Sequence, residues 1–529
     1  MFGLFKKKRR RPSAPSPRLP ERVRSQTGRR NYAMAKMGGL TNDWFSGDAT
    51  ADQMIYQGLR RMRNRARDLA RNDDYTRRFI GLARNNIIGP YGITFRARSR
   101  DYINGVPVPD AVANGKIETA FNAWMKPGTC TCDRIGSLTD VEAQLVQGLI
   151  TDGEFICRKV RGVQNGYGFA LQPIDPERLD EQLNRAARPA SAGVSAQNEI
   201  RMGVELDSFG GPVAYHFIDG DSSVNSYGQQ QRRGYQRLPA AEIVHVFIQE
   251  RPGQTRGVTM LAPVALRKKM LDGFMGAVTD GARAAACKMG WFVRDPENPG
   301  DAKSEDNSAF YEASPGQIEE MPVGFNDFKP FDPGYPPANF EEFTKTILRG
   351  ISAGLGVSYL ALSNDMQGVS YSGGRLAMLA DQDVWRCLQV YVIEHFCERI
   401  YPDWLLMALT TQVVALPLAK LDKWAVSRWR PRGWKWADPQ REVQAYIQAI
   451  KAGLTSFTAV CNETGTDFEE VIEELAENYA LAKASGVTLL LDILPPAPVQ
   501  TVEEEEAGKG VADKSVCPTL QANPETDAE

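Results

Sequence analysis

At 529 residues, 42% hydrophobic and 24% charged, the chain can bury a large core and divide into several lobes. Its formal net charge is only −2, and eight cysteines in this length exclude a disulfide scaffold and predict reduced thiols in a cytoplasmic setting. Neither a membrane span nor a secretory leader is expected. The most apolar helical stretch, 261–291, holds Arg267, Lys268, Lys269, Asp272, Asp280 and Arg283, and no apolar run follows the basic start.

Charge is unevenly placed. Residues 1–30 carry eleven Lys or Arg against Glu21, whereas 501–529 carry eight acids against two lysines. Both ends lack apolar periodicity, so a disordered basic N-terminus (1–30) and a disordered acidic tail (486–529) are predicted.

Helical spacing of Ile55, Leu59, Met62 and Ala66 predicts a first helix, and Asp73-Asp74 start a second that Gly89-Pro90 ends. Arginine is dense here: Arg60, Arg61, Arg63, Arg65, Arg67, Arg71, Arg77, Arg78 and Arg84. Such a run is either a nucleic-acid face or a solvated or subunit-contacting face with Asp68, Asp73 and Asp74 as partners, and the second reading has the larger prior. Short alternating segments follow, with strands expected at 93–98, 153–160, 168–174, 200–205, 214–218 and 242–247 and helices at 117–125 and 140–151. The Gly-, Ser-, Gln- and Asn-rich region 180–240 reads as exposed loops around some of these strands. No βαβ rhythm appears, so the body is α+β.

A long helix is predicted over 261–289, about 44 Å at 1.5 Å per residue. It carries one apolar stripe (Leu266, Met270, Phe274, Val278) and one of small residues (Gly273, Ala277, Gly281, Ala284, Ala285). Two such stripes call for helical neighbours on two sides, which a ring of identical subunits would supply. A polar, Pro-rich excursion with strand-like runs at 317–323 and 328–331 separates it from a returning helix at 340–357, giving a stalk with a knob. A polar, Gly-rich interruption then spans 358–374, before a helix that starts near Arg375 and is expected to stop at Pro402. Helical structure resumes to Leu409, a strand is expected at 413–416, and Trp424, Trp429, Trp434 and Trp436 read as packing. Helices at 439–452, from Ser456, and from a capping box at Thr466–Glu469 to Ser485 close the chain.

Searches for chemistry end negatively. Gly350-Ile-Ser-Ala-Gly354 matches a nucleophile elbow, but its flanks are continuous helix, so Ser352 is read as structural. His216, His245 and His395 lack metal-ligand spacing, and Cys130-Thr-Cys132 has no partner pair. Gly368–Gly373 has P-loop glycine spacing but lacks the Lys-Ser/Thr that must follow. Neither catalytic residues, metal nor cofactor are assigned.

Several stretches, taken together and in order, resemble the portal proteins of lambda-type tailed bacteriophages from about residue 30 to 485. They are Arg65-Ala-Arg-Asp-Leu-Ala-Arg-Asn72, Gly89-Pro-Tyr-Gly-Ile93, Leu171-Gln-Pro-Ile-Asp-Pro-Glu-Arg-Leu179, His245-Val-Phe247, Arg251-Pro-Gly-Gln-Thr-Arg-Gly257, Leu348-Arg-Gly-Ile-Ser-Ala-Gly-Leu-Gly-Val357, Tyr371-Ser-Gly-Gly-Arg375, and Trp436-Ala-Asp-Pro439 with Glu442. Gly373 departs from the pattern, standing where the family usually has a second serine.

The resemblance implies a ring of twelve subunits at one capsid vertex of the virion, assembled in the host cytoplasm and acting as the conduit for DNA. Its implied parts are a wing (31–258 and 375–437), stem helices (259–289 and 340–357), a clip (290–339), a tunnel loop (358–374) and a crown (438–485). The loop residues implied to meet DNA are Ser363, Asn364, Asp365, Met366, Gln367, Tyr371 and Arg375. Arg267, Lys268, Lys269, Arg283 and Lys288 are candidates to line the channel, or in part to bridge subunits. Implied partners are double-stranded DNA without sequence preference, the terminase large subunit, head-completion or adaptor proteins at the clip, and the major capsid and scaffold proteins. The competing expectations are a nucleic-acid-processing enzyme of phage head assembly and, more weakly, a capsid-associated protease.

Overall fold

The structure is a computed structural model that describes residues 49–103, 105–189, 197–218, 235–287, 290–294, 325–330, 339–434, 439–466 and 468–486. Both charged ends, most of 290–339 with its expected strand at 317–323, Trp436 and Lys288 lie outside the described residues.

Thr50 opens α1 (Ala51–Asn72) through a capping box with Gln53. Asp73 ends that helix and caps α2 (Asp74–Ile87), accepting from the Thr76 amide at 2.7 Å. The chain then forms β1 (Thr94–Ala97) and a hairpin absent from the sequence expectations, β2 (Arg100–Ile103) and β3 (Val106–Pro109). Helices α3 (Ala111–Trp124) and α4 (Leu138–Thr151) precede the strands β4 (Glu154–Val163), β5 (Gly168–Ile174), β6 (Glu199–Arg201), β7 (Val204–Leu206), β8 (Pro212–Ile218), β9 (Tyr235–Pro239) and β10 (Ile243–Phe247). The strand expected over 200–205 is thus two strands. Met202 and Gly203 both take positive φ (47° and 84°), which turns the chain back as a tight hairpin. The strand expected at 214–218 is β8, and with β9, which falls where a loop was expected, these strands form a four-stranded antiparallel sheet, β6-β7-β8-β9. Its alternating apolar residues Val204, Leu206, Tyr215, Phe217 and Leu238 outweigh the turn-rich composition around them.

The second half begins with α5 (Ala265–Cys287) and a hairpin of β11 (Gly290–Arg294) and β12 (Phe325–Pro330). Next come α6 (Phe340–Leu355), α7 (Tyr359–Ser363), α8 (Tyr371–Val392) and α9 (Glu398–Thr410). The chain closes with α10 (Leu421–Trp424), β13 (Ser427–Arg430), α11 (Pro439–Lys451), α12 (Phe457–Thr464) and α13 (Phe468–Ala484). Pro402 does not stop a helix but lies inside α9. A π-helical turn at Ile393–Cys397 lies just upstream, its Glu398 amide reaching back to the Ile393 carbonyl, so the hydrogen-bond register is already shifted before the proline ring is met. Residues 413–416 form an irregular, bent segment rather than a strand. The strand lies at β13 instead, paired antiparallel with β1 across more than 330 residues of sequence. No helix among the described residues is long and apolar enough to cross a membrane.

A three-stranded antiparallel sheet, β10-β4-β5, divides the core. Phe155, Cys157, Val244 and Val246 face a main core shared with α2, α3, α4, α8 and α9, which includes the aromatic group Phe95, Phe121, Trp124, Tyr401, Trp404 and Trp429. Ile156, Ile174 and Ile243 face the four-stranded sheet. Trp424 and Trp429 are buried, as a packing role requires.

Where the sheet begins, Glu154 is wholly buried and accepts from Arg63 Nη2 at 2.8 Å, Arg256 Nε at 2.8 Å and His245 Nε2 at 3.1 Å. Burial alone would raise this carboxyl, but Arg256 and Arg63, with the His245 hydrogen bond, hold it well below the ordinary carboxylate range. Burial pushes His245 down, so the histidine is neutral beside two guanidiniums. Arg256 also donates to the carbonyls of Met202 at 2.8 Å and Pro176 at 3.3 Å. Arg67 grips Asp152 at 2.6 Å, Asp175 at 2.8 Å and Glu177 at 3.0 Å. These acids, rather than the expected Asp68, Asp73 and Asp74, are the partners of the inward arginines. Close backbone contact makes the site compact: a Cβ on Gly257 would lie 2.0 Å from the Gly153 carbonyl oxygen.

A second buried carboxyl, Glu142 on α4, has no cationic partner among the described residues. It accepts from the Ile93 amide at 3.1 Å, and burial raises its pKa to about 8.

Two outcomes are expected. Glu154→Gln leaves Arg63 and Arg256 buried without a counter-charge and should cost about 3–5 kcal/mol, read as a fall in the thermal midpoint. For Glu142 the folded pKa lies above the unfolded value of 4.5, so its contribution is complete below that value and is lost as pH rises through about 8. Glu142→Gln should therefore flatten the decline of thermal midpoint with pH across this window, and an unchanged slope would refute the assignment.

Candidate functional site

The stretch between α6 and α8 is shorter as a loop than its sequence suggests. Gly356 (φ 72°) ends α6, and Ser358 caps α7 while donating both its amide (2.7 Å) and its hydroxyl (2.6 Å) to Asp381 on α8. α8 begins at Tyr371, not near Arg375, because Ser370 accepts from the Gly373 amide at 3.2 Å and starts the helix four residues earlier. A Cβ at Gly373 would meet that Ser370 hydroxyl at 3.1 Å, so the glycine keeps the cap uncrowded. The loop proper is 364–370.

Each expected loop residue has a defined place. Ser363 donates to the Tyr359 carbonyl at 2.7 Å. Asn364 takes the left-handed conformation (φ 59°), and its side-chain oxygen accepts from Arg78 Nη2 at 3.2 Å. Arg78, on α2, also donates to the Ala361 carbonyl at 2.9 Å. Asp365 accepts from the Gln367 amide and the Tyr359 hydroxyl, both at 3.0 Å, and lies 3.4 Å from Lys345. The Gln367 amide, then Tyr359, lower its pKa, so the carboxylate is charged and already partnered. Arg375 is paired with Glu442 on α11 at 2.8 Å. Met366 and Tyr371 remain open, at 67% and 66% exposure, beside exposed Gln367. Asp365 and Arg375 are each paired within the chain, and the most exposed side chains of the stretch, Met366, Gln367 and Tyr371, are uncharged.

The helices α5 and α6 run antiparallel, with Val264 beside Gly354, Arg267 beside Gly350 and Phe274 against Phe343 at 4.9 Å. A Cβ on Gly354 would lie 2.4 Å from Val264 Cγ1, so the two glycines of the false nucleophile elbow are a helix contact. Between them Ser352 is buried and donates to the Leu348 carbonyl at 2.9 Å. Of the expected basic band, Arg267, Lys269 and Arg283 are exposed. Lys268 is not: it is buried between Asp73 and Asp272 and ties α5 to the α1–α2 joint. On the same pair of helices Leu266 (75%), Met270 (68%) and Phe343 (48%) stand exposed. Among the described residues no group of three His, Cys, Asp or Glu side chains could hold a metal ion.

Sequence reasoning missed Arg78, Lys345 and Asp381 as supports of the loop. Nothing local signals them, since Arg78 lies 286 positions from Asn364. Glu442 entered only through the resemblance, without a partner.

The family described as phage portal protein, lambda family, matches residues 37–389. The probable portal protein of Halomonas phage phiHAP-1 is 31% identical over 482 residues, covering 90% of this chain and 91% of that protein. Portal protein B of Escherichia phage lambda is 24% identical, covering 85% and 89%. Among solved structures, the neck of an empty gene transfer agent particle aligns at 12% identity and a TM-score of 0.43, over 79% of this chain and 94% of that one.

Replacing Arg78 and Arg375 together by alanine should leave the fold intact, since each partly exposed contact is worth about 1 kcal/mol or less. Amide exchange over 361–376 should quicken roughly 5- to 30-fold. Unchanged exchange there would show that these two arginines do not hold the loop.

Proposed function

The chain belongs to the lambda family of phage portal proteins, and we propose on that premise that its copies close into a ring of twelve at one capsid vertex. The ring is the conduit through which DNA is packaged and ejected, and it docks the terminase motor, the head-completion proteins at 290–339 and the surrounding capsid and scaffold proteins. Assembly takes place in the host cytoplasm, and the protein's part is mechanical, with no catalysis of its own.

The observation that carries this reading is the family match over residues 37–389. The geometry supports it in two ways. The exposed Leu266, Met270 and Phe343 on α5 and α6 suit burial against neighbouring copies. The loop 364–370 offers DNA a surface without free charge. Each phosphate neutralised by a cation strengthens binding through counterion release, so free arginines repeated around a ring would hold DNA too tightly to slide. Met366, Gln367 and Tyr371 can touch a passing duplex without gripping it. Exposed Arg267, Lys269 and Arg283 supply a sparse positive band along the stem.

Electron microscopy of the purified protein should show rings with a central opening, whereas a monomer under every condition would overturn the proposal. In assembled particles, replacing Asn364–Gln367 with Gly-Ser repeats should leave rings intact but lower the retained genome per particle. Undiminished genome content would remove the loop from contact with DNA.

A further inference from the structure

Among the described residues two charged faces remain without partners, one basic and one acidic. On α1 the inward face carries Ile55, Leu59, Arg63 and Ala66, all buried. The outward face carries Arg60, Arg61, Arg65 and Arg71, all exposed, with Asp68 as its single acid. Arg61 reaches only the Gln57 carbonyl, and none of the four has an acidic partner among the described residues. On the helix running from α8 through the π-helical turn into α9, Phe396, Cys397 and Ile400 are buried while Glu394 and Glu398 are exposed. Those two glutamates have no cation within ion-pair distance among the described residues; Arg399 is adjacent to Glu398 in sequence, and successive helix residues do not face each other. Like charges one turn apart repel, and both helices keep such a pair: Arg61 with Arg65, and Glu394 with Glu398.

Their relative placement follows from β4. Glu154 and Phe155 are consecutive strand residues, so their side chains leave opposite faces of the sheet. Arg63 of α1 meets Glu154 at 2.8 Å, whereas Phe396 packs on Phe155 with ring centroids 5.8 Å apart. The two helices therefore send side chains to opposite faces of the strand. A ring joined head to tail needs two different, complementary faces.

We propose that the arginine face of α1 docks on the Glu394–Glu398 face of the next copy, a contact that rests on the ring reading above and specifies its partner. Pairing by charge sets the order of faces and the rate of encounter, and it excludes contact between two like faces.

The test uses two variants of the full chain, one with Arg61→Glu and Arg65→Glu, the other with Glu394→Lys and Glu398→Lys. Each alone presents like faces to itself and should lose ring yield roughly tenfold or more at low salt. An equal mixture of the two should recover rings, because every contact is then complementary and the variants alternate. Recovery on mixing also shows that both variants are folded. Native ring yield from either variant alone, or no recovery in the mixture, overturns the proposal. So do intact rings that lose only DNA when the arginines are reversed, which would make α1 a nucleic-acid surface. Failure of the unaltered protein to form rings would instead remove the reading beneath.

Discussion

One buried carboxylate joins the central sheet to the elements around it. Glu154 stands at the first position of β4 and is met by guanidiniums from α1 and from the turn before α5, by a histidine from β10, and by the Gly257 amide at 3.3 Å. Removing such charges from water is costly, and a buried ion pair is weak evidence of net stability. Its geometric effect is another matter. Arg256 spans the distance between Glu154 and the carbonyls of Met202 and Pro176, so the central sheet, the hairpin turn of the second sheet and the approach to α5 share one fixed point. Any other register of these elements would leave a wholly buried arginine unanswered.

From that point a chain of polar contacts runs to the loop. Arg63 fixes α1, Asp73 joins α1 to α2 and takes Lys268 from α5, and Arg78 on α2 holds Ala361 and Asn364. On the far side Asp381 holds Ser358 and Glu442 holds Arg375. The loop and its flanks are therefore supported from α2, α6, α8 and α11 at once. Supports from several elements under a short polar tip hold that tip in one place.

The sequence made periodic elements legible and long-range pairings not. Helices over 51–87 and at 439–452 appeared within a few residues, as did the strand at 168–174, since apolar spacing and caps are local signals. Pro402 misled because a register shift upstream is invisible in residue types. The strand at 427–430 was overlooked because its partner β1 is far away in sequence. Lys268 looked like a channel residue because Asp73, which helps to bury it, lies almost two hundred positions away in sequence. The motifs that carried the family resemblance have a physical explanation the sequence did not offer. Arg67, Asp175, His245, Arg256 and Gly257 come from four separate stretches, and all gather around Glu154 or the neighbouring Asp152, two residues that drew no attention in the sequence.

The arginines of α1 show how one composition serves two purposes. A run this dense invites a single label, yet the helical period separates Arg63 and Arg67, turned toward buried or half-buried carboxylates, from Arg60, Arg61, Arg65 and Arg71, turned toward solvent. The inward pair specifies the fold of one chain. Among the described residues the outward four have no acid to answer them, and Glu394 and Glu398 have no cation. In a molecule whose net charge is only −2, two unanswered faces of opposite sign are a stronger constraint on assembly than the total charge.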